Sequence, residues 1–208
     1  MSDVSNPVIA VAILAGGNSY RMGQDKAALH HDGPSLIERQ VSDLRYLSES
    51  LPIFICSGSR RYAELDAYEV RHIPDAVNSA GPLAGIAKAL ETVSAAGFEG
   101  GYVLVLPTDS LIAPSDICQR LTDAMSATSE VVLLKGERLH PLHGLFSVAI
   151  ASRMQDYVES GGRSVMGFLD DQSWDAVTVP PAWEPCLNFN TPEEYEHALA
   201  AFAKMTSF

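Results

Sequence analysis

The sequence predicts an α/β fold, a three-layer sandwich with a mostly parallel central sheet and helices on both faces. Three observations carry this. Nearly continuous apolar blocks, such as residues 7–14 (PVIAVAIL) and 102–106 (YVLVL), read as strands buried on both faces. Between such blocks lie stretches whose apolar residues recur at helical intervals. The two patterns alternate from one end to the other without a repeat, a low-complexity tract or a linker. Such alternation implies strand–helix–strand crossovers and one domain spanning residues 1–208.

The elements follow in order. Pro7 to Leu14 is the first strand. Ser35, with Glu38 three residues on, has the spacing of a capping box and opens a helix carrying Leu36, Ile37, Val41, Leu44 and Leu47. Pro52 to Cys56 reads as a strand, Tyr62 to Asp66 as a short helix, and Val70 to Ile73 as a strand ending near Asp75. A helix starting near Pro82 carries the stripe Leu83, Ile86, Leu90 and Val93. Tyr102 to Leu106 is the strongest central strand, followed by a helix marked by Ile117, Leu121 and Met125. Strands are expected at Val131 to Leu134 and Gly144 to Val148, then a helix from Ala151 to Glu159 and a break at Gly161-Gly162. Ala176 to Val179 reads as a late strand ended by Pro180-Pro181. Thr191-Pro192-Glu193-Glu194 is a helix start, with Thr as cap, Pro at the first position and Glu at the third.

Composition narrows the function. The chain has 208 residues, 26 Asp and Glu against 14 Lys and Arg, and a formal net charge of −12. That balance argues against nucleic-acid binding, which needs a basic footprint, but a phosphate ligand needs only a few cations gathered locally. No apolar run reaches the roughly 18 residues of a membrane span, and the first residues lack the pattern of a signal peptide. Cys56, Cys118 and Cys186 are widely spaced and form no C-x-x-C pair, so reduced thiols and a cytoplasmic location are expected. His140 and His143 have H-x-x-H spacing, but no nearby Cys or carboxylate completes a zinc set.

In a parallel sheet, ligands bind beyond the carboxyl ends of the strands, so the loops there are where chemistry is sought. The loop after the first strand is the richest: Leu14-Ala15-Gly16-Gly17-Asn18-Ser19-Tyr20-Arg21-Met22-Gly23-Gln24-Asp25-Lys26. Its glycines let bare backbone N–H groups approach a ligand, and Arg21 and Lys26 add two cations. The combination suits a polyphosphate. It is neither a G-x-x-x-x-G-K-[ST] loop, since five residues separate Gly17 from Gly23 and Gln24 follows, nor a G-x-G-x-x-G turn. Asp109 follows the Tyr102–Leu106 strand, where a carboxylate oxygen suits Mg²⁺; the alternative is a turn or helix cap.

This loop resembles the signature of the molybdenum cofactor guanylyltransferases, within the broader nucleotidyltransferases of nucleotide-diphospho-sugar transferase fold. Further segments match in family order: Asp75, Gly81-Pro82-Leu83-Ala84-Gly85, Asp109, His140-Pro141-Leu142 with Gly144-Leu145, and Asn188-Phe189-Asn190-Thr191-Pro192. Gly16-Gly17 resembles the guanylyltransferase branch, whereas cytidylyltransferase relatives usually carry Ala-Gly there. Two positions depart from the pattern. Ser57 stands roughly where guanylyltransferases place a base-contacting Asn, and Leu111 stands where relatives usually have Pro two residues after the Asp.

The resemblance implies roles residue by residue. Arg21, Lys26 and Asp109 would be catalytic. Leu14, Ala15, Gly16, Gly17, Lys26, Ser57, Asp75, Gly81, Gly85 and Asp109 would hold the nucleotide. His140, Arg163 and Asn188 would bind the acceptor, and Asp109 with Asn190 would hold Mg²⁺. For Gly81 to Gly85 tight helix packing remains an alternative, for Asn190 the positioning of the Thr191 helix start, and for Arg163 a solvated surface arginine. The implied reaction moves GMP from Mg²⁺·GTP to the terminal phosphate of molybdenum-bound molybdopterin, with release of pyrophosphate. Its partners would be enzymes that deliver the cofactor and the molybdoenzyme apoproteins that receive it. The rivals are a cytidylyltransferase, a sugar-phosphate nucleotidyltransferase of the same fold, and a catalytically silent nucleotide-binding regulator.

Overall fold

Strand β1 (Val8–Leu14) lies inside the sheet with a neighbour on each side, which is why it carries no polar residue. The computed structural model describes residues 8–16, 25–30, 33–73 and 81–207. After β1 come α1 (Leu36–Leu47), β2 (Ile53–Cys56), β3 (Val70–Ile73), α2 (Gly81–Ala95), β4 (Tyr102–Pro107) and α3 (Pro114–Thr122). They are followed by β5 (Val131–Lys135), β6 (Leu139–Ser147), α4 (Ala151–Glu159), α5 (Val165–Leu169), β7 (Trp174–Thr178) and α6 (Pro192–Thr206). The strands form one sheet in the order β3-β2-β1-β4-β6-β5-β7. Every pairing is parallel except those of β6, which runs antiparallel to both β4 and β5.

Side-chain alternation along the strands divides the interior into two layers. Val11, Ile13, Ile55 and Leu104 pack on one face with residues of α1, α3 and α6, among them Ile37, Leu44, Ile117 and Ala198. Ala10, Ala12, Leu14, Phe54 and Val105 pack on the other with α2, α4 and α5, through Leu83, Leu90, Met154 and Phe168. This is the three-layer α/β sandwich expected of the sequence. Ser35 caps α1 by accepting from Glu38 N, and Thr191 caps α6 by accepting from Glu194 N.

Register sets the working edge. Leu14 pairs with both Cys56 and Pro107, and Cys56 pairs with Ile73, so the carboxyl ends of β3, β2, β1 and β4 are level. Because β6 is antiparallel, its amino end and the β5–β6 turn reach this same edge.

Some elements differ from expectation. β6 starts at Leu139 rather than Gly144, so His140 to His143 are strand. A shift of register between Leu133 and Leu134 takes their partners from Gly144 to His140 and leaves 141–143 outside the β5 ladder. Pro141, which has no N–H, is accommodated in that irregularity. β7 begins at Trp174 and ends at Thr178; as a largely exposed edge strand it shows no clear alternation. α3 ends before Met125, and Leu47 of α1 is half exposed. Residues 63–65 form a 3₁₀ turn, and α5 and further 3₁₀ turns at 26–28 and 181–186 have no expectation behind them.

Gly144, in the middle of β6, has no room for a side chain. A Cβ there would lie 2.7 Å from Val132 O, a backbone atom, and 2.5 Å from Leu133 Cδ2. Gly144→Ala is expected to destabilise the protein by on the order of 1–3 kcal/mol. That corresponds to a Tm lower by roughly 2–12 °C. An unchanged Tm would mean that β5 and β6 separate more easily than their register implies.

Candidate active site

The level strand ends place the chemistry-bearing loops side by side. Ala15 N–H donates to Cys56 O (3.0 Å), continuing the β1–β2 ladder one residue beyond the strand. Gly16 follows, and a Cβ there would stand 3.3 Å from Cys56 O. Gly17, Arg21 and Asp75 lie outside the described residues. At the far end of the first loop, Asp25 caps the 3₁₀ turn by accepting from Ala27 N (3.1 Å). Its other oxygen accepts from Tyr62 Oη (3.0 Å) and Arg60 Nη1 (3.1 Å), and Tyr62 Oη also contacts Ala15 O (3.1 Å). Burial and the neighbouring Asp25 charge push the Tyr62 phenol well above its ordinary range, so it remains a neutral donor. These bonds anchor the loop's return and thereby aim Lys26.

Lys26 Nζ donates to Asp109 Oδ2 (2.8 Å) and to Asn190 Oδ1 (2.8 Å). Asn188 Nδ2 donates to the same Asp109 oxygen (2.8 Å), and Asn190 Nδ2 donates to Asn188 Oδ1 (2.9 Å). The expected catalytic lysine, the expected metal-binding carboxylate and both late asparagines thus form one cluster. Gln40, buried in α1, steadies its base by donating Nε2 to Pro107 O (2.9 Å), two residues before Asp109. The Leu111 departure also has a physical account. Leu111 is buried and its N–H donates to Cys186 O (2.9 Å), a bond that proline has no hydrogen to make.

Asp109 Oδ1 is buried and has no hydrogen-bond partner among the described residues. A buried carboxylate oxygen left without a donor is costly. That atom, with the amide oxygen of Asn190 in the same cluster, gives hard-oxygen donors of the kind Mg²⁺ takes when phosphates and water complete its shell. No group of three or more His, Cys, Asp or Glu suited to a metal occurs among the described residues.

The remaining expected residues spread along the edge. Ser57 is buried, and its hydroxyl donates to Arg60 O (2.8 Å) within its own turn. Gly81 opens α2 at φ +74°, a conformation that favours glycine. Gly85 packs tightly: a Cβ there would meet Cys56 Cβ at 3.2 Å and Leu14 Cδ2 at 3.3 Å. Arg163 follows α4, and its Nη1 donates to Val158 O (2.9 Å) and Gly162 O (2.7 Å), capping that helix. Among the described residues no hydrogen bond or ion pair joins Arg163 to the Lys26–Asp109 cluster; its carbonyl oxygen lies 4.0 Å from the position of a Cβ on Gly81.

A cavity of about 220 Å³ adjoins the cluster, lined by Pro107, Arg138, His140, Pro141, Leu142 and Asn188 among others. His140 Nε2 lies 3.3 Å from Glu184 Oε1, and burial holds its imidazole below the ordinary range although Glu184 opposes the shift. His143 stands edge-on to His140, ring centres 5.8 Å apart, and burial with this neighbour pushes it down to about 3. Sequence reading missed Arg138, Glu184 and Gln40. Arg138 had a signal, being two residues from His140 in the same run; Glu184 and Gln40 had none, because long-range folding alone brings them here.

Residues 11–174 match the family described as MobA-like NTP transferase domain. The chain is 34% identical over 200 residues to the molybdenum cofactor guanylyltransferase of Rhizobium leguminosarum bv. trifolii (strain WSM2304), covering 91% of each chain. To that of Rhizobium meliloti (strain 1021) it is 30% identical over 197 residues, covering 90% of this chain and 89% of the other. Among solved structures, its fold resembles molybdopterin-guanine dinucleotide biosynthesis protein A from Archaeoglobus fulgidus (TM-score 0.71, 22% identity, 94% of this chain and 100% of that one). It likewise resembles 4-diphosphocytidyl-2C-methyl-D-erythritol synthase from Anaerococcus prevotii (TM-score 0.68, 11% identity, 96% and 100%).

The depressed His143 pKa has a consequence for stability. Folded, the imidazole titrates at about 3 against 6.5 when unperturbed. Below pH 6.5 the unfolded chain therefore binds a proton that the folded chain refuses, and stability falls as the pH drops toward 3. From pH 7.5 to 5.5 this residue alone accounts for a loss of about 1.4 kcal/mol. In urea melts at these two pH values, His143→Leu is expected to shrink the acid loss by that order; an equal loss in both proteins would refute the account.

Proposed function

The chain belongs to the MobA-like NTP transferase family, and on that footing we propose that this nucleotidyltransferase moves GMP from Mg²⁺·GTP to the terminal phosphate of molybdenum-bound molybdopterin, releasing pyrophosphate. The observation that carries the reading is the partly buried meeting of Lys26, Asp109, Asn188 and Asn190 at the edge where the glycine loop leaves β1. The similarity to molybdenum cofactor guanylyltransferases supports the guanylyl and molybdenum-cofactor parts.

An oxygen of the acceptor phosphate attacks the α-phosphorus of GTP; a new P–O bond forms as the bond to the β-phosphate oxygen breaks. The acceptor is already an anion, so no general base is required, and catalysis consists of in-line placement and neutralisation of charge. Backbone N–H groups of Gly16 and Gly17, with Arg21 and Lys26, hold the triphosphate and the departing pyrophosphate. Leu14, Ala15, Ser57, Asp75, Gly81 and Gly85 shape the base and ribose site. Asp109 and Asn190 would hold Mg²⁺, which would offset phosphate charge. His140 and Asn188 line the acceptor side, and Arg163 stands beside the start of α2.

Thermal shift tests nucleotide choice. At about 100 times its Kd a ligand adds roughly 2.7 kcal/mol, so GTP with Mg²⁺ should raise Tm by roughly 5–10 °C. CTP, UTP and ATP should do less, and a clear preference for CTP would move the protein to the cytidylyltransferase reading.

Lys26→Ala and Asp109→Asn should each lower turnover by on the order of 10²–10³ while leaving the circular dichroism spectrum unchanged. A folded variant with near-normal turnover would remove that residue from the mechanism.

A further inference from the structure

We propose that Arg138 is the anion-binding residue of the cavity beside Asp109, and that it seats the phosphate end of a phosphate-monoester acceptor. The inference rests on the nucleotidyl-transfer reading above and adds a residue to it.

Arg138 stands at the amino end of the β6 run, in the turn whose antiparallel course brings it to the carboxyl end of β4. Gly136 N–H donates to Arg138 O (2.9 Å), closing that turn. Glu184 fastens it from outside: its Oε2 accepts from Glu137 N (3.2 Å) and occupies the space that a Cβ on Gly136 would need. The turn that carries Arg138 is therefore held in place.

The guanidinium is only partly engaged. Nη2 donates to Asn188 Oδ1 (3.0 Å), and no other side-chain hydrogen bond of Arg138 occurs among the described residues. An arginine has five N–H donors in a planar fork that matches phosphate oxygens. The cavity's lining includes no carboxylate, and Arg138 is its one permanently charged side chain among the described residues. Glu184, behind His140, is turned to Glu137 N and His140 Nε2, so the charge facing the cavity is that of Arg138, which suits an anion.

Position identifies which anion. Asn188 touches both Arg138 and Asp109, so a phosphate on Arg138 lies one side chain away from the carboxylate assigned to Mg²⁺. An attacking phosphate must be there. At about 220 Å³ the cavity is smaller than the ~300–1,000 Å³ usual for whole ligands, so it takes the phosphate end and leaves the rest of the acceptor outside. Pro107, Pro141 and Leu142 supply apolar walls beside the exposed guanidinium.

The test uses Arg138→Met and Arg138→Lys in the full chain, with molybdenum-loaded molybdopterin as acceptor. Arg138→Met should raise the acceptor KM roughly ten- to a hundredfold, leaving GTP affinity and Tm close to wild type, and Arg138→Lys should recover part of the loss. Arg138→Met removes the donor to Asn188 outright, and Arg138→Lys replaces the planar fork with a single shorter ammonium. A fall in kcat at unchanged KM in both would therefore assign Arg138 to holding Asn188 and overturn the proposal. Parallel loss of GTP affinity would overturn it too. A second readout needs no turnover: titration of inorganic phosphate into the nucleotide-free protein, followed by ¹H–¹⁵N NMR at the Arg138 side chain. Shifts that saturate in wild type and vanish in Arg138→Met support the assignment, and their absence overturns it. If wild type binds phosphate at Arg138 but makes no guanylylated molybdopterin, the proposed function fails while the anion site stands.

Discussion

A carboxylate as deeply placed as that of Asp109 has to be neutralised from within the protein, because separating a buried charge from its partners costs several kcal/mol. Its side chain is 12% exposed and that of Lys26 15%. Lys26 lies 83 residues away in sequence and Asn188 lies 79 away on the other side. Satisfying one oxygen of Asp109 thus ties the first loop, the end of β4 and the entry to α6 into a single point. Gln40 and Leu111 serve the same end through the backbone, one by bonding Pro107 O and the other by bonding Cys186 O.

That convergence depends on the sheet. Four parallel strands with level carboxyl ends bring their following loops to one edge, as parallel sheets do. The single antiparallel strand adds what a wholly parallel sheet could not. β6 enters from the same edge at which β4 leaves, so the β5–β6 turn, Arg138 and His140 stand next to Asp109. A parallel β6 would start at the opposite edge, and the cavity would have no floor. The register shift near Leu133 belongs to the same arrangement, since it frees Pro141 to His143 from the ladder on the β5 side.

Much of this was legible in the residues. Apolar runs located the interior strands, because burial on both faces leaves no room for polar side chains, and the caps Ser35 and Thr191 marked two helix starts correctly. Lys26, Asp109, Asn188 and Asn190 were all expected at the site, and they meet there. Less was legible where the physics is not local. The exposed edge strand β7 lacks a burial pattern, the strand character of His140 to His143 is masked by Pro141, and Glu184 reaches the β5–β6 turn from a segment 47 residues away. Arg163, expected on the acceptor side, has one guanidinium nitrogen engaged by Val158 O in the last turn of α4 and by Gly162 O just beyond it; spacing alone cannot distinguish a helix-capping arginine from a ligand-binding one.

The Lys26–Asp109 pair also constrains how a nucleotide can enter. Two opposite charges at 2.8 Å in a largely buried setting do not separate into nothing; each needs a replacement of opposite charge. On the proposed reaction, a magnesium–triphosphate complex offers both at once, phosphate oxygens for the ammonium and a cation for the carboxylate. Asn190, whose amide oxygen accepts from Lys26, would be released by the same exchange, and Asp109 Oδ1 would gain a partner. A free triphosphate without metal would satisfy Lys26 but strip Asp109 of its cation, so on this proposal metal and nucleotide would bind as coupled ligands, each removing a cost that neither could remove alone.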